Sequence, residues 1–272
     1  MKKRILIFAI LCLLLFMYGV FENQRLMVSH YMVQSRLKNI RIAHVSDLHN
    51  ASFGKQNATL VQAIQEAKPD LIFLTGDMFD GRRPNLQNSV DFVKQIAGIA
   101  PIYYVSGNHE AYRQDLLLEF MVELEHLNVN IADGKSLTIQ MKGQEFLIHG
   151  VPDPLYYGLR QTRQAQEQTM QSNLERLAWD RSKPQLLLSH RPEYFLLYAQ
   201  KQVDHVFSGH AHGGQFRLWR SIYAPGQGFF PPYTEGVHSL DASQIIVSRG
   251  LGNSIIPIRL NNPPELVIVD LQ

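Results

Sequence analysis

From Ile40 to the carboxyl end, short apolar runs alternate with longer segments of helical period. Ile40 to Ser46, Leu71 to Leu74, Ile102 to Val105, Gln185 to Ser189 and His205 to Ser208 are runs of four to seven residues, which predicts strands buried on both faces. Between them, Ala58 to Ala67, Leu86 to Ala97, Tyr112 to His126 and Gln161 to Ala178 read as helices, with Pro69 and Gly98 as stop signals. Lys142-Gly143 is placed to turn a hairpin between Ser136 to Met141 and Gln144 to His149. Gln244 to Arg249 and Glu265 to Leu271 read as further strand. This alternation predicts one α/β domain over residues 40–272, without repeats or internal linkers.

The amino-terminal pattern is different. Lys2, Lys3 and Arg4 precede an uncharged apolar run, Ile5 to Phe21. Seventeen residues of helix span roughly 26 Å against about 30 Å of hydrocarbon, at the lower limit for a spanning helix. A cleavable signal has a shorter core and a small-x-small site, which Glu22 to Val33 does not offer. Residues 1–21 are therefore expected to be an uncleaved membrane anchor and 22–39 a connector. The crowding of positive charge before the anchor predicts a cytoplasmic amino terminus and an extracytoplasmic body on a single-pass cell-membrane protein.

The chemistry gathers where the strands end. Asp47-Leu48-His49, Gly76-Asp77, Gly107-Asn108-His109-Glu110, Ser189-His190 and Gly209-His210-Ala211-His212 each close a predicted strand. In open α/β sheets the site lies beyond the carboxyl ends of the strands, so these groups are expected to converge. Carboxylates, imidazoles and one amide, without thiolate, suit two divalent ions such as Mn, Fe or Zn. Asp-x-His and His-x-His on extended backbone would send both members of each pair to one side. Gly76, Gly107 and Gly209 are read as residues that let the chain turn at a crowded centre. Taken singly, Asp47 reads as a cap, Asp77 and Asn108 as turn residues and His190 as a core histidine; their joint order favours a metal site. His30, His44, His126, His149, His205 and His238 lack ligand spacing and are expected in the core or on the surface.

These residues resemble the calcineurin-like metallophosphoesterases, whose pattern is D-x-H, G-D-x-x-D-G, G-N-H-E, H and G-H-x-H. The phrases SDLH, LSHRPE, SGHAHGGQF and SRGLG are similar to the membrane-linked bacterial branch of YaeI/YkuE-type phosphodiesterases. The resemblance implies an α/β/β/α sandwich with a dinuclear metal site at the carboxyl ends of the strands. It implies Asp47, His49, Asp77 and His212 on one ion and Asp77, Asn108, His190 and His210 on the other, with Asp77 bridging. It further implies His109 beside the scissile phosphate and Asp80 orienting it. Gly81 stands where the phosphatase branch has Arg, and Arg249 of SRGLG is the candidate replacement for substrate binding.

The implied activity is phosphodiester hydrolysis through a hydroxide held by two metal ions, with His109 giving a proton to the leaving group. The substrate is a phosphate ester, envelope- or lipid-linked if the anchor governs access. Two alternatives stay open: a hydrolase of the UDP-diacylglucosamine pyrophosphate type, and a non-catalytic scaffold, which should have lost ligands. Phe229, Phe230, Pro231, Pro232 and Tyr233 are open to two readings, an acyl-binding wall or an ordinary Pro-rich loop with buried aromatics.

Composition narrows this little. The chain has 272 residues, 45% hydrophobic and 18% charged, with net charge +2, which excludes a disordered chain and a basic nucleic-acid footprint. Cys12 is the only cysteine, so disulfides and thiolate zinc sites are excluded, and Leu11 before it does not suit lipidation.

Overall fold

The computed structural model describes residues 1–159, 161–214, 217, 221–253 and 257–272. In chain order the elements begin with α1 (Lys2–Glu22), β1 (Met27–Val33), β2 (Ile40–Val45), α2 (Ala58–Ala67), β3 (Leu71–Thr75), α3 (Leu86–Ile96) and β4 (Ile102–Val105). The middle of the chain forms α4 (Asn108–Tyr112), α5 (Gln114–His126), β5 (Asn130–Ile131), β6 (Ser136–Met141), β7 (Gln144–Val151), α6 (Arg163–Glu175) and β8 (Gln185–Ser189). The remainder forms α7 (Phe195–Gln200), β9 (His205–Ser208), β10 (Tyr223–Ala224), β11 (Gly228–Phe229), β12 (Gly236–Leu240), β13 (Ser243–Val247) and β14 (Glu265–Leu271).

Two six-stranded sheets result, ordered β1-β14-β2-β3-β4-β5 and β12-β13-β9-β8-β7-β6. The apolar runs bury both faces, as continuous hydrophobic strands should. On β2 and β3, Ile42, Leu71 and Phe73 enter the core between the sheets with Leu186, Leu188 and Phe207, while Ala43, Val45, Ile72 and Leu74 pack outward against helical residues such as Ile64, Phe92 and Phe120. Leu187 and Val206 of the second sheet face Leu174, Phe195 and Tyr198 of α6 and α7. The layers are therefore helix, sheet, sheet, helix, and the parallel strands β2, β3, β4, β8 and β9 all end at one edge of the sandwich.

Lys142 and Gly143 both adopt positive φ, 49° and 73°, the backbone of a tight hairpin turn that follows strand twist. Three boundaries differ from expectation. The stretch 22–39 is no plain connector: β1 lies within it and pairs in parallel with β14, so the sheet begins before residue 40. The helix expected from Tyr112 is preceded by α4, which starts immediately after Gly107, and Arg113 (φ −131°, ψ 65°) separates it from α5. Thr162 caps α6 by accepting from the Ala165 N–H, so that helix starts at Arg163 and ends at Glu175, short of Ala178.

Helix α1 is long and apolar enough to cross a membrane, with mean hydropathy 2.6, and most of it is exposed. Among the described residues, its end touches the body. The Tyr18 hydroxyl donates to Asn261 Oδ1 (2.9 Å), the Asn23 amide donates to the Pro257 carbonyl (2.7 Å), and Gly19 lies against Ile258 and Leu260.

His149 and His205 are buried in the second sheet, as expected of core histidines. His149 bonds to Ser136 Oγ (2.7 Å) and Gln185 Oε1 (3.0 Å), and His205 to Ser35 Oγ (2.8 Å). Burial holds both down at about 4. The unfolded chain titrates them near 6.5, so their contribution is intact above that pH and is lost progressively as pH falls toward 4. Each is worth about 3 kcal/mol across that window. The melting temperature is expected to fall between pH 6.5 and 4, and His149→Gln to make that fall shallower; an unchanged slope would contradict it.

Candidate metal centre

Seven side chains from two sheets meet at the strand ends. Asp47, His49 and His212 form one group of potential ligand atoms and Asp77, His190 and His210 another, the atoms within each lying within 4.8 Å of one another. All are buried. Asn108 is buried beside them, and its Oδ1 has no hydrogen-bond partner. Side chains from all five strand-end motifs thus meet in one place.

The backbone that does this is not extended. Asp47, His49, Asp77, His210 and His212 all have positive φ, between 42° and 64°. The expectation that Asp-x-His and His-x-His act as strand pairs is corrected: both motifs turn in the left-handed region after the strand. Such conformations cost about 1–3 kcal/mol each for non-glycine residues and persist where surroundings hold them. Backbone donors to the carboxylates do part of the holding. The His210 N–H reaches both Asp47 oxygens (3.1 and 3.0 Å), and the His109 N–H reaches Asp77 Oδ1 (2.8 Å). Gly76 needs its positive φ (86°), whereas Gly209 is required by approach: a Cβ there would overlap the Asp47 carboxylate and Ser46 Oγ.

Hydrogen bonds also decide which nitrogen each ring presents. The Thr75 carbonyl accepts from His190 Nδ1 (2.7 Å) and the Gly252 carbonyl from His212 Nδ1 (3.2 Å), which leaves Nε2 of both rings for a ligand. Those Nε2 atoms lie 3.2 Å from Asp77 Oδ2 and 3.3 Å from Asp47 Oδ1. His210 turns Nδ1 inward, 3.2 Å from His190 Nε2.

Charge explains the spacing. Burial would raise both carboxyls, but His212, His49 and His190 around Asp47, and His190 and His109 around Asp77, hold them well below the usual carboxylate range. Burial would lower His190, yet Asp77 and Asp47 raise it to about 10. His210 and His212 go the other way, depressed first by burial and further by neighbouring cations. Two carboxylates, four neighbouring imidazoles and the partnerless Oδ1 of Asn108 fit divalent cations in their chemistry.

Several groups were not legible as site residues. Glu110 accepts from the N–H of Asp77 (2.8 Å), Met78 (2.6 Å) and Gly107 (3.0 Å), tying two ligand loops together; burial and Asp77 push it up to about 8. Arg191 forks onto Asp153 (2.5 and 3.2 Å) and meets Glu193 (3.3 Å), whose carboxylate stands 3.8 Å from His210. The signal was in LSHRPE, where charged residues follow a strand end directly. A cavity of about 340 Å³ opens over this centre, with Asp77, Asn108, His109, Arg191 and His210 in its wall.

His109 lines that cavity. Its Nδ1 accepts from the Gly81 N–H (3.0 Å), so the neutral ring carries its proton on Nε2. Asp80 Oδ1 is 3.7 Å from that Nδ1, beyond hydrogen-bond reach, and accepts instead from Arg82 and Arg83 N–H (2.7 and 3.1 Å). Asp80 thus shapes the loop that orients His109. Arg249 does not line the cavity: its guanidinium meets Glu265 (3.1 Å) and Glu235 (3.5 Å). The cations of the cavity wall are Arg82 and Arg163 together with Arg191, and neither Arg82 nor Arg163 has an ion pair among the described residues. Of SGHAHGGQF, Gln215 and Phe216 lie outside the described residues.

A model of the calcineurin-like phosphoesterase family matches residues 40–214. The chain belongs to that family. It is 28% identical to a metallophosphoesterase of Aquifex aeolicus over 96% of this chain and 98% of that one. It is 29% identical to the metallophosphoesterase YkuE of Bacillus subtilis over 85% of this chain and 76% of that one. Two other relatives are longer, and the chain spans 60% and 49% of their length. In fold it is similar to TT1561 of Thermus thermophilus, with TM-score 0.52 and 17% identity over 79% of this chain and 91% of that one. The metallophosphoesterase sandwich expected from the motifs is thus the observed fold.

Gly209→Ala is expected to keep the far-ultraviolet circular dichroism of the parent and lose most of its bound metal, measured by plasma mass spectrometry. Full metal content in that variant would contradict the packing described at Asp47.

Proposed function

We propose that the chain is a phosphodiesterase whose centre holds two divalent ions, with Mn, Fe or Zn as the candidates. One observation carries this. Asp77 Oδ2 lies 3.4 Å from His49 Nε2 and 3.2 Å from His190 Nε2, so one carboxylate stands between the two donor groups. Asp47, His49, Asp77 and His212 would hold one ion, and Asp77, Asn108, His190 and His210 the other. Ions so placed supply Lewis acidity and a nucleophile at neutral pH.

The protein's own groups do the rest. Tyr112, Leu155 and Arg163 share the cavity wall with Asp77, Asn108 and His210, so an ester held over the centre would lie beside them. His109 presents Nε2–H toward an oxygen of the phosphate, which suits charge developing on the leaving group. The Gly81 N–H on Nδ1 fixes the ring's direction, and Asp80, through Arg82 and Arg83 N–H, fixes Gly81. Arg82 and Arg163 are the free cations for the substrate's outer part, the role for which Arg249 was the candidate. Those two guanidinium groups also favour a second reading, cleavage of a pyrophosphate bond, in which they would hold the second phosphate.

Helix α1 supports a single-pass membrane protein, and Lys2, Lys3 and Arg4 support a cytoplasmic amino terminus with the body outside.

The full chain in detergent is expected to hydrolyse bis(p-nitrophenyl) phosphate with added Mn and to stop in chelator. Silence across several metals and esters would overturn the reading in favour of a scaffold. His109→Ala is expected to lower kcat by about 10²–10⁴-fold with metal content unchanged. Equal loss of metal would make His109 a ligand instead.

A further inference from the structure

The end of α1 and the metal cavity share one edge of the sandwich. β14 runs antiparallel to β2, so the loop before β14 lies at the edge where β2 ends, and that loop holds the end of α1. From there a short hydrogen-bonded path leads to the cavity mouth. The Arg217 N–H donates to the Leu260 carbonyl (3.1 Å), the Asn261 amide donates to the Arg217 carbonyl (3.1 Å), and Arg217 bridges to Ser221. Ser221 leads directly into the β10–β11 hairpin. The turn of that hairpin, Pro225-Gly226, lines the cavity, and Gly226 packs so closely on Glu193 that a Cβ would overlap its carboxylate.

The strands of this hairpin carry their aromatics outward. Tyr223 is 51% exposed, Phe229 74% and Phe230 60%, with the Tyr223 and Phe229 rings edge to face at 5.5 Å. Neither reading of the Pro-rich stretch is met in full. Tyr233 is packed on Phe195 as a core aromatic would be, but the two phenylalanines are neither buried nor in the cavity wall. Large aromatics exposed in water are costly, and aromatics with one wet and one apolar side gather at membrane interfaces. Tyr18, whose hydroxyl reaches Asn261, and Glu22 paired with Arg25 (2.7 Å) mark where α1 leaves apolar surroundings, at the level of that same loop.

We propose that the β10–β11 hairpin rests in the interface of the bilayer that α1 crosses, and that the metal cavity therefore takes its phosphate from an amphiphile lying in that leaflet. The inference rests on the membrane reading of α1 and narrows the substrate class to esters whose phosphate sits at headgroup depth. Tyr223, Phe229 and Phe230 supply the contact, and Pro225-Gly226 carries it to the cavity rim.

Because Cys12 is the only cysteine, single-site labelling is direct. The full chain with Cys12→Ser and Phe229→Cys, carrying an environment-sensitive fluorophore, is reconstituted into vesicles of phosphatidylethanolamine and phosphatidylglycerol containing shallow spin-labelled lipid. Ser182→Cys in the same background serves as reference, since Ser182 is exposed before β8 at the opposite edge. Quenching at position 229 several-fold above that at 182 is expected. Equal quenching at the two positions overturns the proposal, and the labelled native Cys12 then shows whether the anchor reading fails with it.

A second measurement separates contact from capture. Phe229→Ser with Phe230→Ser is expected to slow hydrolysis of a vesicle-borne phosphodiester about tenfold and leave bis(p-nitrophenyl) phosphate hydrolysis unchanged. The same effect on both substrates, or none on either, would overturn delivery from the leaflet, and absence of hydrolysis on either substrate by the parent would overturn the phosphodiesterase reading itself.

Discussion

Two almost completely buried carboxylates govern this molecule. Asp47 and Asp77 are 0% and 1% exposed, and an uncompensated charge at such a place is among the most expensive features a fold can carry. The compensation comes from both sheets at once. Backbone N–H groups from the β9 and β4 ends reach the carboxylates, and histidines from β2, β8 and β9 surround them. The sandwich cannot separate its layers or shift a strand by one residue without stranding a charge.

That constraint explains the unusual backbone. Left-handed residues at Asp47, His49, Asp77, His210 and His212 are each unfavourable alone, yet each aims a side chain at a point the parent strand does not face. Glu110 and Asn262 make these turns affordable, Glu110 through three backbone donors and Asn262 through its amide to the His212 carbonyl (2.7 Å). Around them, Arg191 is balanced by Asp153 and Glu193, so the cation nearest His210 is fixed and the free ones, Arg82 and Arg163, stand at the cavity wall.

Much of this was readable in the residues. Short apolar runs ending in Asp, Asn and His pointed to the strands and to the seven side chains that meet at their ends, because a strand buried on both faces has no polar positions until it ends. The division into two sheets was not readable from periodicity. Nor was the edge of the first sheet, where β14 inserts between β1 and β2, a pairing across more than two hundred residues that carries no local signal. The left-handed turns were hidden because Asp and His tolerate that conformation without requiring it, unlike glycine. Arg249 was misleading, since an arginine at a strand end looks the same whether it faces the cavity or a buried glutamate such as Glu265. Arg163 was invisible because it belongs to a helix without a motif, and only the packing of α6 beside the site brings it to the cavity.

The same edge of the sandwich thus carries the candidate ligands, the cavity, the end of α1 and the exposed aromatic hairpin, and the proposed activity depends on Asp77 standing between two ions. Titration of the metal-free full chain with Mn(II), followed by electron paramagnetic resonance, tests that claim most directly. The account predicts saturation at two ions per chain with an exchange-coupled spectrum, and loss of the coupling in Asp77→Asn. Saturation at a single ion, or two ions that stay magnetically isolated, would contradict it.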